Sequence, residues 1–562
     1  MPHRQGNHCP ENSVYEKGLN VQMTPAARQK YAELAKAANL FKSGQLAAAA
    51  AYSRQLLKRY PREALLFNIL GGVAAENEDW RTAEKYFAKG VRVDPRNFEI
   101  LRNLAKAQLN QRIPLKAEQN LKKALTIKPD FVEGWNTLGL VYLEKNEPAA
   151  ARKAFLKALD ISPGFAEAAA NVLTELEASN DLEGLESALV RFEKHLPDNP
   201  VTSMCRGLVA NRKKDYQTAL SLLESITFAP GSALENKALE AARTAHMAKL
   251  NDRLGHYEAA YRLFILTNRQ ARENTPQETF DAEGFRKHIA LRRDYFATFS
   301  PAKWPEIETP DAEPVFMVGF PRSGTTLLDT FLRGHGDIAV TEELPLVQTL
   351  VGKLGTNGLN ELSRLEKISG MKAQNAGEAY LRELRKHAGD SPVRIDRMPF
   401  NILRAGEILR VFPKAKFILA LRDPADVIFS CFMQNFVMND ANANFMTPES
   451  SAEVYDETFS LWQLYTEKLD FPYFTLRYED VVEDAETALR PLVDFLGLDW
   501  DPAMLDHQKT AQSRERIKTA SYAQVVQPIY KTALRRWEHY ADMMPGALET
   551  VRPWREYFGY NT

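Results

Sequence analysis

Two hydrophobic rhythms divide this chain near its middle. Up to about Gln270, apolar and small residues recur at helical spacing. From Val132 to Pro163, Trp135, Leu138, Gly139 and Tyr142 fall on one helix face, and Ala151, Phe155 and Ala158 fall on the next. That spacing predicts pairs of amphipathic helices. Prolines at 61, 95, 129, 163 and 197 close the second helix of successive pairs, always 34 residues apart. Small residues at Gly139, Ala151 and Ala158 let the paired helices approach, while Trp135, Leu138, Tyr142 and Phe155 fill the space between pairs. Beyond Pro314 the rhythm changes. Short runs rich in β-formers, Val315–Phe320, Lys416–Pro424 and Tyr473–Val482, are each followed by a helical pattern. Strands alternating with helices predict an α/β domain with a central parallel sheet covered on both faces. Ligands of such sheets bind beyond the carboxyl ends of the strands, where the loops after Phe320 and Leu421 lie.

A 34-residue period of helix pairs closed by proline resembles the tetratricopeptide repeat (TPR). Phe67, Leu70, Gly71, Ala83 and Phe87 repeat the order, as do Leu101, Leu104, Ala105, Ala117, Leu121 and Ala124. Asp215-Tyr216 with Ala219, and His256-Tyr257 with Ala259 and Ala260, read as degenerate units. The expected layout is a polar tail over 1–25, an all-α TPR solenoid over 26–275, a connecting helix and linker over 276–312, and the α/β domain over 313–562. A solenoid offers a concave surface to an extended peptide or another protein. Its alternative use is scaffolding or homodimerisation.

Composition narrows the classes. The chain has 562 residues, 44% apolar and 26% charged, with a formal net charge of −1. Such a balance provides no basic footprint for nucleic acid. Cys9, Cys205 and Cys431 are too scattered for a disulfide framework or a metal site and suit a reducing compartment. The first residues are polar, without the apolar core of a secretory signal, and no run is long enough to span a membrane. A cytoplasmic protein is expected.

The candidate chemistry sits in Gly319-Phe-Pro-Arg-Ser-Gly324-Thr-Thr326, which has nearly the pattern of a phosphate-binding P-loop. The glycines that shape the backbone and the hydroxyl of Thr326 are present. Thr325 replaces the lysine that reaches the β- and γ-phosphates, and the cation moves to Arg322. No strand ends in a free aspartate suited to magnesium, since Arg422 comes first after the second run. Anion binding without metal is therefore the expectation.

This loop, followed by Leu421-Arg-Asp-Pro-x-Asp-Val-x-x-Ser430, resembles the sulfotransferases that use 3′-phosphoadenosine 5′-phosphosulfate (PAPS). The resemblance runs from about Pro314 to Tyr560. It implies that Arg322, Ser323, Gly324, Thr325 and Thr326 wrap the phosphosulfate, and that Arg422 and Ser430 hold the 3′-phosphate. Within that family the chain is similar to the protein-tyrosine sulfotransferases and their TPR-bearing bacterial relatives. Thr341–Pro345 then places a catalytic glutamate at Glu343, and Arg397–Asn401 places Arg397 where those enzymes carry lysine. Tyr478, Ser521 and Arg536 carry over as donor-binding residues. Gln434 and Gln527 stand where the animal enzymes have an arginine and a lysine.

The resemblance implies that Glu343 takes the proton of an acceptor hydroxyl while Arg322 and Arg397 stabilise charge on the leaving phosphate, by analogy with phosphoryl transfer. Plainer roles stand beside these. Glu342 rivals Glu343 as the base, and His335 suits a helix cap. Arg397 could pair with Asp396 or Asp423, Ser430 could bond a backbone carbonyl, Tyr478 could pack the sheet edge, and Cys431 reads as core. A tyrosine acceptor held by the repeats is the expected function. Sulfation of a glycan or small hydroxyl compound, and a nucleotide-binding adaptor without turnover, are the alternatives.

Overall fold

The computed structural model describes residues 24–228, 234–276, 279–358, 361–512 and 534–560. The chain divides between Leu250 and Asn251 into two compact units. In the first, helix pairs follow the proline period. Helices Leu46–Arg59, Trp80–Val93, Pro114–Ile127, Pro148–Ile161 and Leu182–His195 each stop two residues before one of the periodic prolines. Proline disfavours helical geometry in the residue before it, which ends each helix there.

A second period lies in the turn inside each pair. Glu78, Arg112, Asn146, Asn180 and Lys214 all adopt left-handed backbone, with φ between 57° and 65°. They too are 34 residues apart, and Gly44 holds the corresponding place in the first pair. The glycines on the first helices have a packing reason. A Cβ on Gly139 would lie 2.3 Å from the Phe155 ring, and one on Gly71 would lie 2.5 Å from the Phe87 ring. Successive first helices are also tied by amides, with Asn103 Nδ2 donating to Asn68 Oδ1 at 2.9 Å and Asn171 Nδ2 to Asn136 Oδ1 at 2.8 Å.

The second unit holds a five-stranded parallel sheet in the order β2-β3-β1-β4-β5. The strands are β1 Val315–Gly319, β2 Ile338–Val340, β3 Val393–Arg397, β4 Lys416–Leu421 and β5 Tyr473–Arg477. Val315, Met317, Ile395, Ile418 and Leu476 pack on one face with helices Thr325–Leu332 and Ala485–Leu496. On the other face Phe316 stacks on Phe417 and Tyr380.

One expectation is corrected. The run Tyr473–Val482 is only half strand, because a helix starts at Tyr478 with Glu479 and Asp480 in its first turn, where carboxylates favour the helix N-terminus. Helix Tyr257–Glu273 packs on the α/β domain. Its Phe264 packs against Phe429 and Phe432, and Asn268 Nδ2 donates to the Phe432 carbonyl at 3.0 Å. Within residues 276–312, helix Ala282–Ala297 buries Phe296 against Tyr465 and Arg292 against Glu407 at 2.7 Å. Strands β2 and β3 escaped the pattern because one has three residues and the other reads Val-Arg-Ile-Asp-Arg.

Gly139→Ala is expected to destabilise the repeat unit by about 1–3 kcal/mol, because the fully enclosed Phe155 ring cannot give way. Gly164→Ala, whose Cβ would meet nothing nearer than a carbonyl at 3.8 Å, should stay close to wild type. Urea unfolding followed by far-ultraviolet circular dichroism compares the two.

Candidate functional site

Strand β1 ends at Gly319, and the turn Phe320–Gly324 leads into helix Thr325–Leu332. The turn is built around residues that permit close approach. Gly319 has φ 155°, and a Cβ there would meet the Ala420 carbonyl oxygen at 2.6 Å. Gly324 has φ 90°, and its Cβ would lie 2.5 Å from the Tyr478 ring. Between them Arg322 holds φ 72°, a left-handed conformation costing a non-glycine residue roughly 1–2 kcal/mol. Ser323, Thr325 and Thr326 are buried in the turn and the first helical residues. The first amides of this helix face the turn, and helix N-termini of this kind attract anions.

Side chains from four segments meet at the turn. Arg322 Nε donates to Ser430 Oγ at 3.1 Å, from helix Pro424–Phe432. Arg422, just after β4, donates through Nη1 to the Arg322 carbonyl at 3.4 Å. Its guanidinium lies over the Tyr478 ring, 5.1 Å from the centroid, and 3.6 Å from Asp426. A small cleft opens beside the turn, lined by Ser323, Gly324, Leu327, Leu476 and Tyr478 among others.

The floor of this site is locked by the C-terminal residues. Asp423 accepts from Arg555 through both carboxylate oxygens at 3.1 and 3.2 Å, and its own N–H donates to Glu479 at 3.0 Å. Glu479 also accepts from the Tyr560 hydroxyl at 2.9 Å. Asp426 receives the main-chain N–H groups of Arg535 and Trp537 at 2.8 and 3.2 Å. Arg536 turns elsewhere: its guanidinium is paired with Asp252, which the Tyr540 hydroxyl also reaches at 2.7 Å. Ser521 and Gln527 lie outside the described residues, and Gln434 sits just beyond the helix that carries Ser430.

A second cluster stands at the end of β3. Arg397, with no exposed surface, bonds Glu343 through Nη1 at 2.8 Å and Glu342 through Nη2 at 3.0 Å, and its Nε lies 3.4 Å from Asp329. Asp329, equally enclosed, is also held by Arg333 one helical turn away. Glu343 is the open member, with 39% of its side chain exposed. Crowding by protein raises its carboxyl above the ordinary value and Glu342 adds to the push, whereas Arg397 and Arg322 pull it down. The net direction is upward. Among the described residues, no group of three or more His, Cys, Asp or Glu side chains could hold a metal ion.

This geometry agrees with what the chain resembles. Residues 314–502 match the family described as "Sulfotransferase family", and residues 73–130 and 132–165 match tetratricopeptide repeats. The C-terminal half therefore carries a sulfotransferase-family domain. Protein-tyrosine sulfotransferase 1 of Danio rerio is 26% identical over 249 residues, covering 42% of this chain and 68% of that protein. Protein-tyrosine sulfotransferase A of Caenorhabditis elegans is 25% identical over 236 residues, covering 40% and 60%. An uncharacterized protein of Aquifex aeolicus (strain VF5) is 24% identical over 353 residues, covering 60% of this chain. The chain spans only 45% of that relative's length. A solved tetratricopeptide repeat protein from Parabacteroides merdae covers 44% of this chain and 94% of its own at 16% identity and TM-score 0.35.

The plainer readings resolve individually within the sulfotransferase domain. Arg397 pairs with neither Asp396 nor Asp423, because Asp396 points to the opposite sheet face, toward Tyr380, and Asp423 is taken by Arg555. His335 caps no helix carbonyl and instead joins two loops: its Nδ1 accepts from the Asp337 N–H at 3.0 Å, and its Nε2 meets the Asp499 carbonyl at 2.9 Å. The Cys431 thiol is buried against the Pro321 carbonyl, and burial pushes it up to about 12. Asp329, Arg333 and Glu479 are not among the residues that the sequence pattern points to. The spacing of Asp329 and Arg333, four apart on a helix, was visible, but Arg397 lies 64 residues beyond Arg333.

Burial pushes the Asp396 carboxyl up to about 7, against a hydrogen bond from Tyr380 that lowers it. The folded state then holds a proton that the unfolded chain releases near the ordinary value of about 3.9, so this group's contribution declines as pH rises from there to about 7. Asp396→Asn should therefore raise the urea midpoint, relative to wild type, more at about pH 8 than at about pH 5. The reverse order would contradict the assignment.

Proposed function

We propose that the chain is a PAPS-dependent sulfotransferase acting on an acceptor hydroxyl, with a protein or peptide tyrosine as the acceptor and the repeats holding that acceptor or a partner. The observation that carries this reading is the meeting of Arg322, Ser430, Arg422 and Tyr478 around a helix N-terminus, with an open carboxylate at Glu343. The donor set suits a bisphosphorylated nucleotide. Turn amides and Arg322 would hold the phosphosulfate, with Ser323, Thr325 and Thr326 beside them. Arg422 and Ser430 would hold the 3′-phosphate, where a planar guanidinium can give paired hydrogen bonds. When bound, PAPS supplies the sulfuryl group.

The chain's own residues then have three tasks. The turn presents fixed N–H dipoles, so little reorganisation accompanies the developing charge. Arg322 offsets negative charge at the phosphate, held in place by Ser430. Glu343 accepts the proton of the acceptor hydroxyl. A phenol of pKa about 10 asks less of a carboxylate than an aliphatic alcohol does, which favours tyrosine. Similarity to the protein-tyrosine sulfotransferases and the peptide-suited repeats support the same acceptor.

Arg422→Ala should weaken adenosine 3′,5′-bisphosphate binding roughly 10- to 100-fold by calorimetry, in line with about 1.5–3 kcal/mol for a charged hydrogen bond. Unaltered affinity would remove Arg422 from the donor site. Glu343→Ala should keep that affinity and lose at least roughly 100-fold in transfer rate. Because a base must be ionised and Glu343 is shifted upward, wild-type kcat/KM should fall on acidification at a pH above the ordinary glutamate value of about 4.3. Labelled sulfate recovered on tyrosine after hydrolysis of an incubated extract supports the acceptor, and label on carbohydrate or small molecules overturns it.

A further inference from the structure

The charged cluster at the end of β3 is graded by exposure. Arg397 and Asp329 have no exposed side-chain surface, Arg333 and Glu342 keep 24%, and Glu343 keeps 39%. The Arg397 guanidinium hydrogen-bonds Glu343 through Nη1 and Glu342 through Nη2, and its buried Nε faces Asp329 at 3.4 Å as an ion pair without a hydrogen bond. A side chain enclosed in this way cannot touch a donor or an acceptor without abandoning those partners. We propose that Arg397 is a positioning residue that aims Glu343 at the acceptor, with Asp329 and Arg333 fixing the plane of its guanidinium. This rests on the reading of Glu343 as the base, and it replaces the expectation that Arg397 steadies the leaving phosphate.

The chemistry of the cluster explains why an arginine is needed. Glu342 and Glu343 are adjacent in the chain, and like charges so close repel. The two terminal nitrogens of one rigid guanidinium give each carboxylate its own partner and hold the pair apart. A lysine ammonium is a single point and cannot do this while also facing Asp329. The groups facing Glu343 are Arg397 from β3, Glu342 beside it and Arg322 from the phosphate-binding turn.

The test uses full-length Arg397→Lys, Arg397→Met and Asp329→Asn proteins, each checked for folding by circular dichroism. Two quantities are measured. One is calorimetric affinity for adenosine 3′,5′-bisphosphate, which retains the phosphate left behind by transfer. The other is the pH dependence of bisphosphate release from PAPS, with a synthetic tyrosine peptide or, failing that, water as acceptor. The expected result is affinity within about twofold of wild type and a rate lowered by at least about tenfold in all three variants. The acid limb should also move to higher pH in Arg397→Met, where Glu343 loses its nearest cation, and by less in Arg397→Lys, which keeps a positive charge there. Affinity falling tenfold or more with an unmoved acid limb would place Arg397 on the leaving phosphate and overturn the proposal. Full activity in Asp329→Asn would remove Asp329 from it. Should Arg397→Met fail to fold with its carboxylates unpaired, Arg397→Lys decides. Wild-type protein that ignores the bisphosphate would instead defeat the sulfotransferase reading itself.

Discussion

Parallel pairing of β1 with β4 is the constraint on which the site depends. Gly319 is matched with Ala420, so the turns leaving both strands emerge side by side at one edge of the sheet. Their approach is so close that a side chain on Gly319 would strike the Ala420 carbonyl. That proximity lets Arg422 reach the Arg322 carbonyl and lets Arg322 reach Ser430. Remove the register and the cations disperse. With it, residues about a hundred positions apart form one anion-facing surface.

Electrostatic support for that surface comes from outside it. Arg422 is steadied by Asp426, whose second task is to receive two backbone N–H groups of the C-terminal segment. Asp423 and Glu479 tie the same turn to Arg555 and Tyr560. Cations enclosed by protein need partners, because an uncompensated buried charge is costly. The domain meets this need with Asp426 for Arg422 and Asp423 for Arg555. A preorganised site follows, since its arginines are already held when a ligand arrives.

The repeat unit obeys a simpler rule. Two of the helix pairs set an aromatic ring, Phe87 or Phe155, against a glycine, Gly71 or Gly139, and the ring fills the space that the missing side chain leaves. Burying such a ring contributes about 1.5–3 kcal/mol, and other pairs fill the matched place with aliphatic side chains such as Leu121 and Leu223.

Local chemistry written into the chain determined the elements that repeat or punctuate. The proline period, the turn from Gly319 to Gly324 and the apolar strands β1 and β4 were all legible from local pattern, whereas Phe155, expected to fill the space between pairs, packs on Gly139 of its own pair. What folding in three dimensions settled was longer in range. The helices over 257–297 continue the helical rhythm of the repeats but bury their faces on the sheet domain, and no local pattern distinguishes those destinations. Strand β3 carries two arginines and an aspartate, so its burial makes sense only once Asp329, Glu342 and Glu343 surround Arg397. Arg536 was assigned to a ligand and is bound by Asp252, 284 residues earlier. Charge pairing at such separations is set by where the backbone brings oppositely charged groups together, and spacing along the chain carries no record of it.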